Sequence, residues 1–515
     1  MGKVATLLVI LSGLAVASPA QPLFTPVSGP RAGDASSSWV VRSREVRVQL
    51  GRMPGATAPD ALRGVLPPAG HRLALNLFAD VVVRARMTRS ERQGSSFVWV
   101  GKVEGQPFGD VVLSVYDGIL SGSVVSPGGA YRIRFDGRRQ VVEELDDDAF
   151  PDDNCFREAP ADHAEPAADA SPAADDGSLV DVLVVYTPAA LAAAGGTSGM
   201  LSQINLAIAE TNTGYQNSGV VQRLRLAGAV EVAYTESGDN GVDLDRVTAP
   251  SDGIIDTVHT LRNAYQADLV SLVTNTPGSL YCGVAWLMGG NSPAFAPSAF
   301  SVVERSCMTG YYSFGHELGH NMGLNHARVD PVGTGAFSYS YGYKWAGYRT
   351  VMAYAPGTRI LYFSNPNVLH LGQPTGVAEA SPSSAYNALS LNNTRTTVAN
   401  WRQSNTPGIL VTAPNGGESW GAGSARTVSW TPTSLPAGSI VQLGCTSASG
   451  TVFLATVPAS QGSYIWQVPS TPGSSWRVKA CVKGAPSSPT RRTKGAPSPA
   501  CLAADTSDAP FTITP

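Results

Sequence analysis

Cysteine is scarce in this chain, with six in 515 residues. That is too few for a fold stapled together by disulfides, so hydrophobic cores must hold it and any bridges are additions. Neither sign of charge is in excess: the formal net charge is -3. This excludes the broad basic surface expected of a nucleic-acid binder or of a protein held on anionic membranes. Past the first residues, no stretch approaches the roughly 18 uninterrupted apolar residues that a membrane span needs. Histidine is almost as rare as cysteine, yet three of the seven, His316, His320 and His326, fall inside the single stretch "HELGHNMGLNH".

The opening "MGKVATLLVILSGLAVASPAQP" places Lys3 before a short apolar run and then Ala15-Val16-Ala17. It reads as a signal peptide over residues 1–17, with a mature end after Ala17 or Ala20, and is too short to cross a bilayer. The expectation is a secreted, extracellular, monomeric protein in a compartment where disulfides persist. Cys282 and Cys307 bracket a short segment and are the natural pair. Cys481–Cys501 is favoured in the C-terminal region, though Cys445 leaves that pairing open, and Cys155 stands alone.

Composition divides the rest. Residues 38–145 are rich in β-branched and aromatic runs between Gly, Pro and Asp breaks, which predicts an all-β region. Residues 152–178, rich in Ala, Pro and Asp, read as an unstructured linker, so the first unit spans 18–178. Over 179–402, strands and helices alternate. "LVDVLVVYT", "RLRLAGAVEVAYT", "ADLVSLVTN" and "AFSVVE" read as strands. "GMLSQINLAIAETNTGYQ" and "DGIIDTVHTLRNAYQ" read as helices, the second opening on Asp252 as N-cap. An α/β (α+β) domain with helices packed on one mixed sheet follows. His259 lies inside the second helix and is read as structural. Short, evenly spaced strands over 408–515 predict a β-sandwich.

The histidine cluster carries the chemistry. His316 and His320 are four apart, so on a helix both project from one face and can share a metal ion. A catalytic zinc takes three protein ligands and keeps one position open. Gly323 can adopt a left-handed conformation, stop the helix and fold the chain back so that His326 supplies the third ligand. Glu317 falls about 100° around the helix from His316, beside the metal but outside the ligand set, where a general base on the attacking water belongs.

"HELGHNMGLNH" with "RTVMAYAP" downstream resembles the metzincins, in which a helix of this pattern is followed by a Met-turn. The resemblance implies Met352 as an apolar floor under the zinc and Tyr354 as a phenol able to touch the metal or the oxyanion. Ala327 departs from the snake-venom-type reprolysins, which carry Asp after the third histidine. "DVLVVYTPAA", "ADLVSLVTN", "GYYSFGHELGHNMG" and "YFSNP" together look like bacterial reprolysin-like peptidases, closest to the peptidyl-Asp metalloendopeptidases. "VTAPNGGESWGAGSARTVSW" resembles an immunoglobulin-like accessory module.

The resemblance implies a multidomain zymogen that acts on polypeptides and is inhibited by its own all-β propeptide. Cys155 is a candidate inhibitory thiol. A pocket for aspartate needs a compensating cation; Arg359 in "PGTRILYFSNP" is the first candidate, with Arg349 and Lys344 behind it. Asp162, Asp169, Asp175, Asp176 and Asp181 offer sites for self-cleavage. One zinc ion is the expected cofactor; no loop makes a convincing calcium site. Two alternatives remain, a broad-specificity metalloprotease and an inert adhesion protein. Glu317 speaks against the second, since structural zinc sites are closed by a fourth protein ligand and need no carboxylate.

Overall fold

The computed structural model describes residues 21–27, 37–57, 66–68, 70–93, 95–151, 156–158, 175–330, 333–404, 408–433, 435, 438–447, 450–484, 501–507 and 509–515. Cys155, Asp162 and Asp169 lie outside the described residues.

The N-terminal part is a nine-stranded sheet, antiparallel throughout. The stretch "RLALNLFADVVVRARM" forms two strands, Arg72–Asn76 and Val82–Gln93, paired as a hairpin. Side chains alternate along its central strands in the period of two expected of a pleat. Trp99, Val111 and Leu113 point into the sheet's own core. Val98, Val100 and Val112 point the other way and join the core of the following region. Both faces of the sheet's middle are therefore buried.

That following region is the mixed layer predicted for it. Its sheet contains β1 (Phe156–Glu158), β2 (Leu179–Tyr186), β3 (Arg223–Glu231), β4 (Leu269–Thr274), β5 (Gly283–Leu287) and β6 (Phe300–Glu304), in the order β1-β5-β6-β4-β2-β3. All neighbours are parallel except β5, which runs antiparallel to β6. The continuous apolar runs of β2, β4 and β6 are fully buried, as interior strands covered on both faces must be.

Two expectations need correcting. The linker is not wholly without structure: Phe156–Glu158 pairs in parallel with Ala285–Leu287 at the sheet edge. An edge strand offers unpaired N–H and C=O groups to any extended segment, and this main-chain pairing needs no apolar run to signal it. The helix read from Asp252 begins later, at Thr257, with Asp256 at its N-cap. Asp252 instead accepts the amide of Ile254 at 2.9 Å, and a side chain that bonds its own backbone nearby competes with helix.

Helix α1 (Thr197–Asn217) lies between the N-terminal sheet and the mixed sheet. Arg89 Nη1 donates to Gln216 at 2.7 Å and Lys102 Nζ to Asn217 at 2.9 Å across the first of these faces. Arg132, itself buried, pairs with Glu143 at 2.7 Å and also donates to the carbonyl of Ser306. Two disulfides, Cys282–Cys307 and Cys481–Cys501, are formed, and Cys445 is a buried free thiol. Beyond residue 408, a three-stranded and a six-stranded sheet enclose a core containing Trp430, Trp466, Val478 and Phe511. Among the described residues no helix is long and apolar enough to cross a membrane.

Candidate metal centre

The helix that carries "HELGH", α2 (Ser313–Asn321), ends as its sequence dictates. Gly323 sits at φ +88°, its amide donates to His320 O and the amide of Leu324 donates to Gly319 O. This pair of bonds is the Schellman arrangement, which needs a residue without a Cβ in the left-handed position. The reversal carries Asn325–Ala327 back past the helix and brings His326 to the other two imidazoles.

All three rings are fully buried. The Nε2 atoms of His320 and His326 each lie 3.1 Å from that of His316. The outer nitrogens are anchored: His316 Nδ1 meets Val351 O at 2.9 Å and His320 Nδ1 meets Leu324 O at 2.8 Å. A carbonyl can only accept, so Nδ1–H donates in His320 and, where His316 donates to Val351 O, in His316 too. Arg359 Nη2 is then a contact and not a hydrogen bond, and the Nε2 lone pairs of both rings face inward. Burial, then the neighbouring rings and Arg359, hold His316 and His326 well below the usual histidine range, so they stay neutral. Lone pairs converging in an apolar pocket repel unless a cation sits among them, and the donor set fits zinc. Among the described residues, this is the one group of metal-binding side chains that forms such a cluster.

The rest of the site closes around it. The sulfur of Met352 lies directly under the helix, where a Cβ on Gly319 would come within 2.7 Å of it. Tyr354 Oη is 2.8 Å from His326 Nε2, so the phenol reaches the same point as the imidazoles. Glu317 is fully buried and leans on β5: a Cβ on Gly283 would lie 2.5 Å from its Oε1. Asn321 ties the helix to the sheet, donating at 2.9 Å to both Trp286 O and Phe300 O.

The arginines are deep. Arg359 is 1% exposed; its Nη1 donates to Tyr311 O at 2.8 Å, and its Nη2 lies 3.0 Å from His316 Nδ1. Arg349 donates to the carbonyls of Gly357, Ala353 and Asp147 at 2.7, 3.0 and 2.9 Å. Lys344 is paired with Asp330 at 2.6 Å and donates to Ala355 O. His259 packs on Phe300, away from the cluster. Among the aspartates proposed for self-cleavage, Asp181 is unsuitable: it lies inside β2, 2% exposed, in a 2.6 Å ion pair with Arg225. Asp175 and Asp176 remain among the described ones.

Gly283 and Asp147 were not legible as site residues. Gly283 looks like any glycine after a cysteine, and Asp147 is one of three consecutive aspartates. Only the fold brings them to the helix.

A buried three-histidine centre on a mixed sheet, with a carboxylate and the strand β5 beside it, is the arrangement of a metal-dependent hydrolase. Residues 177–380 match the family model "Metallo-peptidase family M12B Reprolysin-like". The chain is similar to the peptidyl-Asp metalloendopeptidase of Stenotrophomonas maltophilia strain R551-3, at 34% identity over 78% of this chain and 99% of that protein. A protein of the same name from strain K279a is 33% identical over the same shares. A third, from Xanthomonas campestris pv. campestris, is 32% identical over 66% of this chain and 84% of its own length. The chain belongs to the reprolysin-like metallopeptidases and is a zinc-dependent endopeptidase.

Proposed function

We propose that the protein is a secreted zinc endopeptidase, made as a precursor, that cuts polypeptides on the N-terminal side of aspartate. The observation that carries this reading is the convergence of the three Nε2 atoms beside the buried Glu317. His316, His320 and His326 would hold the zinc ion, and Met352 would floor it. When bound, zinc polarises the scissile carbonyl and lowers the pKa of water toward about 7. Glu317 takes the proton of the attacking water and passes it to the leaving amine. Tyr354 Oη donates to the oxygen that becomes negative as the carbonyl turns tetrahedral. The peptide main chain aligns by pairing with the edge of β5 that Phe156–Glu158 occupies in the full-length chain.

The two disulfides fit an oxidising compartment. Residues 18–178 are read as a propeptide and 408–515 as an immunoglobulin-like accessory module. Cys155 is read as a thiol that occupies the fourth zinc position in the precursor. A Cys155→Ser precursor is expected to be active before processing, as measured by casein hydrolysis; equal latency removes the thiol from the scheme.

Digestion of a denatured proteome with the mature enzyme tests the specificity. Cuts should concentrate before aspartate, cease with a chelator and resume on adding zinc. Cuts without aspartate enrichment would instead support a broad-specificity protease. No cutting at all, with zinc restored, would leave the adhesion reading.

A further inference from the structure

The loop that leaves the N-terminal sheet does not merely pack nearby. Asp147 and Asp148 reach into the segment that follows the Met-turn. The amide of Arg359 donates to Asp147 Oδ2 at 3.1 Å, and the amide of Gly357 donates to Asp148 Oδ1 at 2.9 Å. Arg349 donates to the main-chain oxygen of Asp147. Phe150 stacks on Tyr311 with ring centroids 4.0 Å apart, and the guanidinium groups of Arg359 and Arg349 lie 4.4 and 5.3 Å from that same ring. Tyr311 in turn immediately precedes the residue that caps α2, and Arg359 touches His316.

A few residues later the chain pairs with β5 at Ala285, two positions from the glycine that abuts Glu317. The described ends of this segment therefore hold two features together: a cationic pocket beside the first histidine, and the strand edge an extended peptide would use.

We propose that the amide N–H groups of Gly357 and Arg359, backed by the cationic side chains of Arg359 and Arg349, form a carboxylate subsite beside the histidine cluster. Asp147 fills it in the full-length chain, and the aspartate side chain of a substrate fills it after the N-terminal segment has left. The proposal rests on the peptidase reading above and deepens it by naming the groups that select aspartate.

The plug is a weak one. Burial raises the Asp147 carboxyl to about 6, outweighing Arg349 and Arg359, with Asp148 adding to the rise. Because the docked value exceeds the ordinary 3.8, docking is most favourable below that pH and weakens as pH rises toward about 6. Arg349 and Arg359 act against this rise, so the two cations favour an ionised carboxylate here while burial opposes it.

Two peptides that differ only in Asp or Ala after the scissile bond, with the zinc-loaded protein, provide the test. In the mature enzyme, Arg359→Leu should lose at least tenfold more kcat/KM on the Asp peptide than on the Ala peptide. Arg359→Lys should recover part of that ratio, because it restores the charge without the fork. In the full-length precursor, Asp147→Lys should raise initial hydrolysis of the Ala peptide at least tenfold, with Asp147→Asn intermediate. Equal loss on both peptides by Arg359→Leu, with zinc content unchanged, overturns the subsite. An Asp147→Lys precursor as latent as the wild type overturns the plug. If the unmutated mature enzyme cuts both peptides equally, the aspartate preference itself is wrong, and the precursor arm still judges Asp147 separately.

Discussion

Glu317→Gln is expected to retain zinc and lose hydrolysis by about 10³-fold or more, since general-base catalysis is removed while the three imidazoles remain. His320→Ala is expected to lose the metal as well, because the two remaining imidazoles do not make a tight site. Metal content by elemental analysis beside kcat/KM on one peptide separates the two outcomes. The amide of glutamine fits where the carboxylate was, against Gly283, so little rearrangement is expected. Substantial activity in the Gln variant would mean that the proton goes elsewhere, and the assigned mechanism would have to be dropped.

Glu143→Leu should destabilise the full-length chain by about 3–5 kcal/mol, the cost of stranding a buried charge by removing its partner. Glu143 receives both Arg132 and Arg134 at 2.7 Å, and its side chain and that of Arg132 are each 4% exposed. Arg132 also donates to Ser306 O, so the pair joins the N-terminal sheet to the peptidase region. Burial pushes the Glu143 carboxyl up, but the two guanidinium groups together outweigh it and leave it below its ordinary 4.5. The stability it contributes is present above that value and is lost as pH falls through the lower, folded one. Denaturant midpoints of the two full-length chains measure the difference. Without residues 18–178 the mutant and wild-type proteins are the same molecule, so the difference must vanish. A full-length midpoint unmoved by the substitution would show that the pair carries no net stability.

The metal centre was legible because its information is local. A four-residue spacing, a glycine and a third histidine occupy one helix and its cap, and helical geometry converts that spacing into distance. The buried strands were legible for a similar reason, since an unbroken apolar run has no polar face to turn toward water and must be covered on both sides. What escaped was long-range. The strand Phe156–Glu158 owes its existence to an edge supplied by β5, not to its own residues. The late start of the helix at Thr257 turned on which of two aspartates closed a local turn. Asp181 was a candidate cleavage site although it stands in a stretch that reads as a strand; the partner that lets a carboxylate be buried there, Arg225, lies on a neighbouring strand. Arg359 was a candidate by its place after the Met-turn, but nothing in the sequence tied it to Asp147.

The position of α1 has a consequence for how the molecule must come into being. One of its faces rests on Val98, Val100 and Val112 of a sheet that the ribosome completes first. That sheet can act as a mould: it is antiparallel, and from Arg72 to Leu145 each strand pairs with the next in sequence, a topology of short loops that closes sooner than the parallel crossovers of the peptidase region. The helix would then be cast against a finished surface before β2, β4 and β6 find one another. When the mould is cut away, as proposed for residues 18–178, the valine-facing side of α1 becomes outer surface. The mature enzyme would then keep a shape held by barriers as much as by equilibrium, and once unfolded it would lack the template on which it was made.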